Sequence, residues 1–223
     1  MGLILNIDTA TETAQVSFAK DGKVLQSLTN ELQKDHASFL QTAIQQLAKK
    51  NSIALADVDA IAVTAGPGSY TGIRVGMASA KGLCYALNKP LIAINTLQVL
   101  TVAAQQELNN ASEILFCPMI DARRMEVFTA TYNNTLAEIL PPCAIILEEK
   151  SFLSQLQNNK ILFFGSGAPK WKSLCSHSNA SFAAASNITE AMASLSEAYF
   201  VQQKFSDLAY SQPFYIKEFQ DKI

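Results

Sequence analysis

Gly66-Pro67-Gly68-Ser69-Tyr70-Thr71-Gly72-Ile73-Arg74-Val75-Gly76 joins an apolar run to a helical pattern through residues suited to backbone geometry rather than bulk. Ahead of it, Ile61-Ala62-Val63-Thr64-Ala65 reads as a short buried strand. The glycines around Pro67 permit positive φ and close approach of a neighbouring chain segment. Ser69 or Thr71 can cap the helix that follows, and free N–H groups at the positive end of a helix dipole make an anion contact through Gly66, Gly68 and Ser69 one functional reading. A plain strand-to-helix connector is the other. The spacing fits neither G-x-x-x-x-G-K-[ST] nor G-x-G-x-x-G, since the lysine of the first and the third glycine of the second are missing. Beyond the turn, Gly72, Gly76, Ala80 and Cys84 recur every fourth residue and line one side of a helix. Glycine costs a helix about 1 kcal/mol relative to alanine, so this ridge predicts a compensating close contact and reads as a packing surface.

The 223 residues, 49% hydrophobic and 16% charged, suffice for one large domain or two small ones. No apolar run reaches the roughly 20 residues that span a bilayer, and Met1-Gly2-Leu3-Ile4-Leu5-Asn6-Ile7-Asp8 lacks a basic flank and a cleavage site. A cytoplasmic protein without membrane attachment is expected. Cys84, Cys117, Cys143 and Cys175 are widely spaced, which argues against a zinc site or a disulfide framework and for buried thiols. The formal net charge is −2 and the arginines are Arg74, Arg123 and Arg124, so nucleic acid binding is expected only through a partner.

Strands are expected at Leu3–Ile7, Ala14–Ala19, Val24–Leu28, Ile61–Ala65 and Leu91–Ile94. Helices are expected from the cap Asp35 to about Lys50, after the glycine turn, and from Thr96 to about Leu108. Three strands followed by alternating helix and strand is the order of a ribonuclease-H-like half of the actin and sugar-kinase (ASKHA) superfamily. Ile114–Met119, Glu126–Tyr132, Cys143–Leu147 and Ile161–Phe164 as strands, with helices Lys150 to about Gln157 and Thr189 to about Lys204, read as a degraded repeat of it. The fold class is therefore α/β with two such halves. The polar stretch from Gln105 to Glu113 sets the halves at 1–108 and 109–223, with the last helix free to pack back on the first half.

Four segments then resemble one family. Asn6-Ile7-Asp8-Thr9-Ala10-Thr11, Gly66 to Gly76 in full, Asp121-Ala122-Arg123-Arg124-Met125-Glu126-Val127-Phe128 and Gly165-Ser166-Gly167-Ala168 are similar to the TsaB (YeaZ) family of bacterial proteins over nearly the whole chain. Arg124-Met125-Glu126 stands where relatives often carry a small or glycine-containing insert. The resemblance implies a non-catalytic subunit of the machinery that makes N6-threonylcarbamoyladenosine beside the anticodon of tRNAs reading codons that begin with A. It implies a catalytic paralogue, TsaD, a small ATPase, TsaE, and contact with tRNA only through the complex. Family heterodimers form through two first-domain helices of each partner, which here implies His36, Phe39, Leu40, Ala43, Gly72, Arg74, Gly76 and Ala80 as interface residues. A homodimer of the isolated chain is a further expectation.

TsaD-type paralogues hold a metal with Asn-His-x-x-x-His at the start of the third helix. The matching positions here are Asn95-Thr96-Leu97-Gln98-Val99-Leu100, and Leu100 cannot ligate. The histidines are His36, which reads as a partly exposed first-turn residue or an interface contact, and His177 in a polar loop. Asp8 ends the first strand, where the superfamily places an acid near nucleotide-bound metal; the competing reading is a turn carboxylate bonding nearby backbone. No catalytic residue, no metal site and no cofactor of its own are expected, with weak ATP or ADP contact, Mg accompanying the nucleotide, as the alternative. Asp121 with Arg123 reads as a local ion pair or hydrogen-bonded turn, the alternative being a cleft-facing partner contact, and Tyr215 and Lys217 resemble a family C-terminal motif. A stand-alone ATP-dependent enzyme is the competing function; peptide hydrolysis ranks last because a nucleophile–histidine pair is missing.

Overall fold

The computed structural model describes residues 1–31, 36–108, 113–184 and 188–217. The expected helix cap Asp35 lies outside the described residues. Packing divides the chain into two compact units, the first holding Met1–Val99 and Ile188–Phe214, the second the remaining described residues. The first unit's leading stretch ends at Val99, where the sequence reading sets the boundary after residue 108, and Gln105 Nε2 donates to the backbone carbonyls of Asn133 at 3.4 Å and Asn134 at 3.2 Å within the second unit.

In the first unit, β1 (Leu3–Asp8), β2 (Ala14–Lys20), β3 (Lys23–Asn30), β4 (Ala60–Gly66) and β5 (Leu91–Asn95) form a sheet ordered β3-β2-β1-β4-β5. β2 pairs antiparallel with β1 and β3, while β1, β4 and β5 run parallel. Every residue of β4 is buried, as a parallel strand covered on both faces requires. On one face Leu5, Ile7, Val16, Phe18, Ile61 and Val63 meet α1 (His36–Lys50) and α2 (Tyr70–Leu87) through Leu40, Ala43, Ile44, Leu47, Met77, Ala80 and Cys84. The period-2 alternation of β2 turns Gln15 to the other face, where its Oε1 accepts from Thr189 Oγ1 of α6 (Ile188–Val201) at 2.6 Å. α2 begins with Ser69 Oγ accepting from Gly72 N and ends at Asn88 in the left-handed region, with Pro90 beyond. β5 leads into α3 (Thr96–Glu107), where Asn95 Oδ1 accepts from Leu97 N at 2.8 Å.

In the second unit, β6 (Ile114–Asp121), β7 (Glu126–Tyr132), β8 (Glu138–Ile146), β9 (Lys160–Phe164) and β10 (Ala180–Ala183) are ordered β10-β9-β6-β7-β8, the same connectivity as the first sheet. Its two crossover helices are single turns, α4 (Leu153–Leu156) and α5 (Ala168–Lys172). Phe152 and Phe163 lie 5.5 and 6.0 Å from Trp171 in the core beneath them. The helix expected from Lys150 to about Gln157 shrinks to α4, and the strand expected at Cys143 starts five residues earlier, at Glu138. β8 is an edge strand, so Pro141 and Pro142, which lack N–H donors, do not interrupt it. Among the described residues no helix is long and apolar enough to cross a membrane.

Candidate functional site

The glycine turn packs against the chain itself. Ser69 N donates to Ala10 O at 2.6 Å, and Thr9 Oγ1 donates to Gly72 O at 2.7 Å. A Cβ on Gly68 would stand 2.0 Å from Ala10 O, and one on Gly72 2.0 Å from Thr9 O. One on Gly76 would stand 2.3 Å from Thr9 Oγ1. Gly66, at φ 114°, accommodates Phe214 O, which a Cβ would meet at 2.5 Å. The close contact that the ridge predicted is therefore intramolecular. Gly72, Gly76, Ala80 and Cys84 are buried in the first unit, and Leu40 and Ala43 face the same core.

This places the expected interface residues in two classes. Arg74 is exposed and Phe39 half-buried, so both are reachable from outside. Leu40, Ala43, Gly72, Gly76 and Ala80 are interior and cannot meet a partner without unpacking the sheet. His36 is not the partly exposed residue expected: it is 5% exposed, and its Nε2 lies 3.2 Å from Thr11 O.

What α2 turns outward is a second stripe at the same spacing. Arg74, Ala78, Gly82 and Ala86 are all exposed, two residues out of phase with the buried ridge and hence about 200° away around the helix. Nothing lies within 4 Å of a Cβ placed on Gly82, and neighbouring Tyr85 is 84% exposed. α1 contributes Ser38, Gln41, Thr42 and Gln45, all exposed, and Gln41 Nε2 donates to Ser79 Oγ at 3.3 Å to tie the helices together. Neither helix contains a carboxylate. The sequence carried this signal in the four-residue repeat starting at Arg74, but the glycine-richer repeat starting at Gly72 masked it.

Asp8 is 5% exposed and its Oδ1 accepts from Ala10 N at 3.0 Å and Thr64 Oγ1 at 2.8 Å. Burial pushes its carboxyl above the usual carboxylate range, against the lowering effect of those two bonds and of His36. Asp8 thus sits as a turn carboxylate. The Ser69 N–H is already given to Ala10 O and so is not free for a phosphate, and Asp8 Oδ1 is taken by Ala10 N and Thr64 Oγ1. Thr96 and Leu100, at the paralogue's ligand positions, are both buried.

In the second unit, Gly165-Ser166-Gly167 meets the end of β6: Gly167 N donates to Met119 O at 2.9 Å and Ser166 Oγ accepts from Asp121 N at 3.0 Å. Asp121 Oδ1 accepts from Arg123 N at 2.5 Å and Lys170 Nζ at 2.6 Å. Partial burial raises the Asp121 carboxyl, but Lys170, the Arg123 N–H and the Arg123 charge outweigh it and the net shift is downward. Lys217 Nζ pairs with Glu126 Oε1.

A family model described as TsaD, tRNA N6-adenosine threonylcarbamoyltransferase, matches residues 24–219. The Bacillus subtilis tRNA threonylcarbamoyladenosine biosynthesis protein TsaB is 30% identical over 165 residues, 73% of this chain and 70% of that protein. The chain belongs to the TsaB family. A TsaB protein of Haemophilus influenzae agrees, at 32% identity over 74% of this chain and 72% of its own. A Pseudomonas aeruginosa structure described by its similarity to YeaZ superposes with TM-score 0.80, 24% identical, covering 97% of this chain and all of that one. The TsaB fold is thereby shared, and the family model ties TsaB chains to the TsaD transferases as paralogues.

Proposed function

We propose that this chain is a non-catalytic subunit of tRNA threonylcarbamoyladenosine synthesis that docks a TsaD-type transferase on the outward face of α1 and α2. One observation carries the reading: Ala78, Gly82 and Ala86 form an exposed small-residue stripe, and nothing lies within 4 Å of a Cβ placed on Gly82. An exposed helical glycine sacrifices about 1 kcal/mol, which a closely approaching second helix returns. The partner is taken to be the transferase because relatives named TsaB serve that pathway and the chain is a TsaD paralogue. A second copy of the chain fits less well. Arg74, Lys49 and Lys50 put like charge on both copies of the face, with no carboxylate on either helix to offset it. Recruitment of a TsaE-type ATPase and contact with tRNA are assigned to the assembled complex.

The test is reconstitution with the TsaD-type partner, the TsaE-type ATPase, tRNA, bicarbonate, ATP and labelled threonine. Threonine incorporation should require this chain; equal incorporation in its absence rejects the scaffold role. Gly82→Trp should not lower the melting temperature and should abolish the heterodimer in sedimentation velocity. A persisting heterodimer would move the interface elsewhere.

A further inference from the structure

The turn between β6 and β7 holds Arg123 at φ 68° and Arg124 at φ 50°, two consecutive residues with side chains in the left-handed region that glycine or asparagine occupies at lower cost. Both are exposed, and they are two of the three arginines in the chain. The turn is braced rather than loose: Asp121 Oδ1 accepts from Arg123 N at 2.5 Å, Glu126 N donates to Arg123 O at 3.1 Å, and Ala122 N donates to Glu126 O at 3.1 Å. Each carboxylate of the turn has a lysine partner, Asp121 with Lys170 and Glu126 with Lys217. Neither guanidinium makes a salt bridge among the described residues. Two charged side chains therefore sit where the backbone favours none, on a braced support; the Arg123 charge acts on Asp121 only from beyond salt-bridge distance, and Asp121 is already held by Lys170. Conformational cost at an exposed turn with no packing return points to binding.

We propose that Arg123 and Arg124 form a phosphate-gripping finger that contacts the tRNA backbone in the assembled complex. This rests on the pathway reading above. Guanidinium groups match phosphate oxygens bidentately, and two adjacent ones serve neighbouring phosphates without reading sequence. Such a contact adds affinity to a complex whose principal tRNA contacts lie elsewhere, in keeping with the low basic charge of this chain.

The experiment measures binding of fluorescein-labelled tRNA transcript to the complex of this chain with its TsaD-type partner, across a salt series. Relative to wild type, Arg123→Gly/Arg124→Gly should weaken tRNA binding about 5–10-fold at low salt and reduce the salt slope by about 1–2, as loss of two phosphate contacts does. The same variant should raise the melting temperature of the isolated chain, because it relieves two left-handed residues. Arg123→Lys/Arg124→Lys should restore part of the affinity and of the salt slope. Unchanged tRNA affinity and slope in the glycine variant, with the heterodimer intact in sedimentation velocity, overturns the finger and leaves the docking reading standing. Loss of the heterodimer in that variant also overturns it, by showing that the arginines bind an acidic protein surface instead.

Discussion

Thr9 Oγ1 donates a 2.7 Å hydrogen bond to Gly72 O, and a methyl group on Gly72 would stand 2.0 Å from Thr9 O. The obstructing atom is backbone, so no flexible side-chain end can yield. The two stripes of α2 should respond oppositely to the same change. Gly72→Ala is expected to destabilise the fold by about 3 kcal/mol through overpacking. Gly82→Ala, which meets nothing within 4 Å, is expected to stabilise it by about 1 kcal/mol through helix propensity. Urea midpoints of the two variants should fall on opposite sides of wild type; shifts in one direction would contradict the assignment of inner and outer faces.

Asp8 predicts a pH dependence with a definite sign. Burial raises its carboxyl above 3.8, so the folded state holds this proton more tightly than the unfolded state does. The group's contribution to stability is fully present below 3.8 and is lost as pH rises through the higher folded value. Asp8→Asn keeps an oxygen facing Ala10 N–H and Thr64 Oγ1–H and has no charge to bury. Denaturant midpoints at about pH 3 and about pH 7 should therefore move in the variant's favour on going to the higher pH. A difference that stays constant between the two would remove Asp8 from the titration.

The elements legible in the sequence were those whose pattern decides them locally. β7 has the expected bounds, Glu126–Tyr132, because alternation and flanking polar turns mark both ends. The glycine turn and the helix that follows it were equally local. β10 and α5 were not foreseen: β10 gains its ladder only by pairing with β9, and Trp171 makes α5 a core element from a segment of ordinary loop composition. The site was half legible. Residue spacing identified α2 as a packing helix, but deciding which of two four-residue stripes faces inward needed Thr9, which lies 63 positions from Gly72 in the chain.

Thiol reactivity offers an independent check on burial. Desolvation pushes both Cys84 and Cys117 up to about 12, and only the thiolate attacks a disulfide reagent. In native protein at about pH 8 neither should react with an aromatic disulfide, whereas both should react at once in guanidinium. Labelling of native Cys84 at the rate of a free peptide thiol would mean that the inner face of α2 opens to solvent.

Lys81 makes a prediction about the segment after α6. Its Nζ donates to Ala209 O at 3.2 Å and Ser211 O at 3.0 Å, and the chain runs on to Phe214 N, which donates to Ala65 O at 2.7 Å. The ammonium is thus a clamp holding this segment along α2, one helical turn from exposed Tyr85. Lys81→Met keeps most of the aliphatic stem and removes both bonds, at a cost of about 1 kcal/mol for partly exposed hydrogen bonds. The expected change is local: faster hydrogen exchange at the Phe214 amide, with exchange at the Ser206 amide, held by Leu91 O at 2.8 Å, unaltered. If the Phe214 amide exchanges no faster in the variant, the segment is held by its own backbone contacts and Lys81 is not its clamp. Acceleration at Phe214 and Ser206 together would show that the stretch after α6 opens as one unit.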